Sequence, residues 1–129
     1  MSVCSSDLLA LAQALADDEF SEAHHRSAAS RAYYAAFLAA DELDKSILFP
    51  DEHTQGRGGP HDQVMRRLKA KGYETQACML RDMKNIRHYA DYKINGEFSR
   101  DQALETVMSC KELTANLQNI RSVVAVVGP

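Results

Sequence analysis

The sequence predicts an all-α fold, a bundle of about five helices, and three observations carry that prediction. Long stretches are dominated by good helix formers and lack Gly and Pro. Apolar residues recur within them at steps of three and four. The breaks between them carry helix stop and start signals, at Asp17-Asp18, Phe49-Pro50, Gly72 and Asn95-Gly96. The one candidate for a strand is the β-branched tail Val123–Val127.

The first helix is expected over Asp7–Ala16 (DLLALAQALA), with Ser5 or Ser6 as its N-cap. Ser21 caps the second, which continues to about Asp44. Its stripe Ala29, Tyr33, Ala36, Ala40 and Leu43 faces the core, and its small residues allow another helix to approach closely. Residues 51–60 (DEHTQGRGGP) form the clearest loop, a flexible connector. Its Gly56-Arg57-Gly58-Gly59 run lacks the Gly-Lys-Ser/Thr ending of a phosphate cradle and follows a helix rather than a strand. Pro60 suits the first turn of a short helix reaching about Lys71, which Gly72 terminates. A fourth helix runs from about Glu74 to Lys93 with the apolar stripe Met79, Met83, Ile86 and Ala90. Ser99 and Gln102 make a capping box for a last helix ending near Arg121, whose buried side is Ala103, Val107, Cys110, Leu113, Leu117 and Ile120. Five such helices without an internal repeat pack as one bundle, a single domain over 1–129.

Composition narrows the function classes. At 129 residues, with 45% hydrophobic and 26% charged residues, the chain can bury a core without disulfides or metal. The net charge of -3 argues against a dedicated basic nucleic-acid binder, while leaving room for a local basic face. Cys4, Cys78 and Cys110 are odd in number and lack metal-ligand spacing, which fits reduced thiols in a cytoplasmic protein. No secretory leader or membrane span is expected. The histidines have no zinc-like spacing, so no metal and no cofactor is expected.

Chemistry, if present, centres on Arg81–Tyr92. On a helical wheel Arg81, Asn85, His88 and Tyr92 line one stripe, and Lys84, Arg87 and Asp91 form a second row beside it, with Arg87 and Asp91 one turn apart. Arginines could hold phosphate, a histidine could move a proton, and a tyrosine could stack or donate. The same pattern is also what a solvated helix face with ordinary i,i+4 pairs looks like.

Two segments carry a family resemblance. Ser30-Arg31-Ala32-Tyr33-Tyr34-Ala35-Ala36-Phe37, followed by Ala39-Ala40-Asp41-Glu42-Leu43, resembles the second helix of small bacterial HEPN-domain proteins (higher eukaryotes and prokaryotes nucleotide-binding). Gly59-Pro60-His61-Asp62 resembles the loop-to-helix histidine that follows it there, and Arg87-His88-Tyr89-Ala90-Asp91-Tyr92 resembles the family's Arg-x-x-Ala-Asp-Tyr variant. The resemblance spans roughly Ser21 to Arg121. It implies an up-and-down four-helix core and a homodimer that packs its motif-bearing helices across a two-fold axis. It further implies a metal-independent ribonuclease of toxin–antitoxin or phage-defence systems, often beside a nucleotidyltransferase-like partner. Counted from Arg87, the position of the family's catalytic histidine is filled by Tyr92, whereas Arg81 and His88 meet the looser spacing. The candidate catalytic set is therefore Arg87 and Arg81 as phosphate holders, His88 as proton-transfer group, and Asp91 or Tyr92 as orienting groups. The alternatives are a non-catalytic helical dimerisation module, with Arg87–Asp91 as a structural ion pair, and a small-nucleotide-binding domain with its cleft between the long helix and the fourth.

Overall fold

The computed structural model describes residues 3–18, 21–47 and 58–127 of the chain. Five helices form it: α1 (Ser5–Ala16), α2 (Glu22–Ser46), α3 (Pro60–Ala70), α4 (Glu74–Tyr92) and α5 (Arg100–Val127). The described residues contain no strand, so the architecture is the all-α bundle that the periodicity predicts.

Helix α2 is the centre and packs on each of the other four. The reason is its alanines. Ala28, Ala29, Ala32, Ala35, Ala36, Ala39 and Ala40 are all buried, so backbones can approach it from several sides. The bulk comes from the neighbours: Leu113 and Leu117 of α5, Leu80 of α4, and Val64 and Leu68 of α3, together with Tyr33 and Leu43 of α2 itself. Each buried leucine contributes roughly 1.5–3 kcal/mol relative to an exposed one.

Polar contacts fix both ends of α2. At its N-terminal end Arg26 donates to the carbonyls of Ala90 (2.9 Å) and Gly96 (2.6 Å), and Glu22 accepts the backbone N–H of Phe98 at 2.6 Å. These bonds satisfy the last turn of α4 and hold the turn into α5. At the C-terminal end the buried Asp44 accepts from Arg67 Nε and Lys71 Nζ, both at 2.7 Å, and Lys71 also donates to the carbonyls of Asp44 and Ile47. Helix α3 is thereby clamped to α2.

The capping signals divide into those kept and those displaced. Ser21 accepts the N–H of His24 at 3.2 Å, and Ser99 and Gln102 form the reciprocal box, at 2.8 and 3.1 Å. Gly72 adopts φ +97°, the left-handed conformation that ends α3. At α1 the N-cap is Cys4, not Ser5 or Ser6. Its N–H donates to the Asp7 carboxylate at 3.0 Å, while Ser5 is buried and donates to the Ala35 carbonyl of α2 at 2.9 Å. A tertiary acceptor has drawn Ser5 into the helix.

Two further expectations are corrected. Helix α5 continues past Arg121, and Val123–Val127 is helical rather than extended. Elongating an existing helix closes one hydrogen bond per residue, which outweighs the few tenths of a kcal/mol of valine's lower propensity. On α4 the buried residues are Ala77, Leu80 and Ala90, with Met83 and Ile86 packed against the core, whereas Met79 is exposed. The connector 51–60 lies largely outside the described residues, which resume at Gly58. No described helix is long and apolar enough to cross a membrane.

Candidate functional site

The polar face of α4 separates into the two rows that the wheel anticipates, and the rows differ in kind. Arg81, Asn85, His88 and Tyr92 are exposed. The ring centroids of His88 and Tyr92 lie 4.6 Å apart at a tilt of 51°, and among the described residues Arg81 reaches only the Cys78 sulfur, at 3.9 Å. Arg81 and His88 share a face, but seven residues at the helical rise separate them by about 10 Å along the axis.

The second row points inward, against α2 and α3. Arg87 Nε lies 2.8 Å from Asp91 Oδ2, an ion pair whose N–H is not aligned as a hydrogen bond. Arg87 also donates to the Tyr34 hydroxyl at 3.1 Å and places its guanidinium carbon 5.2 Å from the centre of the Tyr34 ring. Arg31, one turn earlier on α2, has its guanidinium carbon at the same 5.2 Å from that ring and donates weakly to Ser30 Oγ at 3.4 Å. Ser30 Oγ in turn lies 3.5 Å from Asp91 Oδ2. Tyr34 is therefore a hub with two arginines over it, which favours cation–π attraction and brings two positive charges to one place.

Helix α3 adds a histidine, His61, that lies outside the candidate catalytic set. His61 stacks on Phe37 with centroids 4.0 Å apart and meets the Tyr34 ring edge-on at 5.9 Å. Its Nδ1 is 2.6 Å from the Tyr33 hydroxyl. We assign that hydroxyl as the donor, because the buried Tyr33 has no other acceptor among the described residues; neutral His61 then carries its proton on Nε2. Burial pushes the Tyr33 hydroxyl well above its ordinary range, outweighing the pull of Arg87, and so keeps it protonated. Burial also holds His61 below the usual imidazole value, and the positive charges of Lys84 and Arg87 push the same way against Asp62. Lys84 donates to Asp62 at 2.9 Å, and that bond holds the Asp62 carboxyl below its usual range.

The structure thus brings Arg87 and Asp91 together and leaves Arg81, His88 and Tyr92 on solvent. The histidine sharing the neighbourhood of Arg87 is His61, although His88 is its neighbour in sequence. What sequence reasoning missed are Arg31, Tyr34 and His61 as members of one cluster. The available signal was that Arg31, Tyr34 and His61 all fall in the segments resembling one family.

Beside the hub a cleft of about 470 Å³ opens between α1, α2 and α4, lined by Leu11, Leu15, Ser27, Ser30, Arg31, Arg87 and Asp91. Among the described residues no group of three or more His, Cys, Asp or Glu side chains could hold a metal ion. Comparison of the chain with family models, with curated proteins and with solved structures gave no match.

Proposed function

We propose that the protein is a HEPN-like helical domain that acts on RNA, as a metal-independent endoribonuclease or an RNA-binding protein of a toxin–antitoxin or phage-defence system. The observation that carries this reading is the division of α4 into an exposed Arg81–Asn85–His88–Tyr92 stripe and a fixed Arg87 beside it. A phosphodiester needs cations for its oxygens and a titratable group near the 2′-hydroxyl, and bases stack on exposed rings; these side chains supply all three. A homodimer is part of the proposal, because a second copy facing the stripe would bring a second arginine and histidine into the same groove and double its local positive charge. In this reading the partner protein, where there is one, is nucleotidyltransferase-like, and the setting is cytoplasmic.

The test is RNA cleavage by the purified chain in excess chelator. Turnover is expected, and His88→Ala or Arg87→Ala should abolish it while the helical circular dichroism is kept. Full activity in both variants would remove this site assignment. A second reading has its own support: Arg87 is committed to Asp91 and Tyr34, as a structural ion pair is. As a non-catalytic dimerisation module the protein would turn over no RNA, and Arg87→Glu would dissociate the dimer in sedimentation.

A further inference from the structure

We propose that the cleft between α1, α2 and α4 is a phosphate-binding site in which Arg31 is the principal cation, Arg87 the second, and Leu11 and Leu15 form the wall for the organic group attached to the phosphate. Charge imbalance is the first reason. Two guanidiniums sit at equal distance over the Tyr34 ring, while one carboxylate, Asp91, lies in the cleft with them and pairs with Arg87. No carboxylate among the described residues pairs with Arg31, whose only polar contact there is the 3.4 Å approach to its neighbour Ser30. Two like charges near one ring repel, and the arrangement gains most from one further anion.

The shape of the cleft supplies the second reason. The two arginines are partly buried and line an open cleft of about 470 Å³, room for a phosphate with a base-sized group attached. Ser27 adds a hydroxyl donor on the α2 side, whereas the Ser30 hydroxyl is directed to Asp91, and an exposed Leu11 with Leu15 provides apolar surface. A planar guanidinium offers paired N–H donors that match two phosphate oxygens, and the ring beneath limits its freedom before the ligand arrives. Asp91 keeps Arg87 oriented without neutralising Arg31. The chemistry is common to two sources, an RNA backbone phosphate and a free nucleoside monophosphate. That RNA is the source rests on the function proposed above; the phosphate site itself does not.

The experiment titrates the full chain with inorganic phosphate, AMP and a short single-stranded RNA at low ionic strength, by calorimetry and by side-chain guanidinium NMR signals. Wild type should bind all three, AMP more tightly than phosphate. Arg31→Gln should weaken each about tenfold or more, the usual loss for one charge-assisted hydrogen bond, with an unchanged helical spectrum and melting temperature. Leu11→Ser, which removes apolar surface without adding charge, should weaken AMP and RNA and leave inorganic phosphate nearly unaffected. RNA that displaces AMP identifies the backbone as the source; AMP binding that RNA does not disturb supports the site with a free monophosphate as its ligand and counts against the RNA reading. Wild type that does not saturate with phosphate or AMP, or Arg31→Gln that binds as wild type, overturns the site and leaves the RNA reading to its own cleavage test.

Discussion

Tyr33 and His61 show how one hydrogen bond sets the behaviour of two residues. Tyr33→Phe removes a donor to Nδ1 at 2.6 Å and should cost about 1 kcal/mol in denaturant unfolding. The lowered pKa of His61 makes stability depend on pH. The unfolded chain titrates this histidine near 6.5 and the folded chain titrates it lower, so between the two values the unfolded state holds more protons. Stability from this group is complete above about 6.5 and declines as pH falls through the folded value. Melting temperatures from pH 8 to pH 5 should show the decline, and His61→Phe should flatten that part of the profile; an identical profile in the variant would rule His61 out as its source. The Arg87–Asp91 pair was legible from spacing alone because i and i+4 are neighbours on any helix. Its joining to Tyr34 was not, since the two residues lie 53 positions apart and only the crossing of α2 and α4 brings them together.

At the scale of elements, α2 was readable because its stripe repeats without interruption, and all five predicted core residues, Ala29, Tyr33, Ala36, Ala40 and Leu43, are buried. On α4 residue type misled: Met79 reads as core by its side chain, yet the smaller Ala77 occupies the buried position where α4 meets its neighbours. The clamp between α2 and α3 was equally invisible, because Asp44, Arg67 and Lys71 read as ordinary surface charges in one dimension. In the fold, Asp44 and Lys71 have side chains only 5% and 6% exposed, so neither charge is water's to solvate. Removing the carboxylate with Asp44→Ala should therefore cost about 3 kcal/mol by chemical denaturation. Lys45→Ala, which removes the exposed pair with Asp41, should leave the denaturant midpoint nearly unchanged.

For the whole molecule, the fold depends on one slender helix with four others around it. Ala36 is wholly buried, and Ala36→Leu should destabilise the protein by about 1–3 kcal/mol, visible as a lower denaturant midpoint. The same arrangement places Cys110 of α5 at the centre, with no exposure and its thiol pushed up to about 12 by burial. Cys4 is exposed and Cys78 partly so. The three thiols therefore make a clock. A thiol-reactive dye at pH 8 should consume Cys4 and Cys78 promptly, whereas Cys110 becomes nucleophilic only when α5 leaves α2, so its slow labelling phase measures how often the bundle opens.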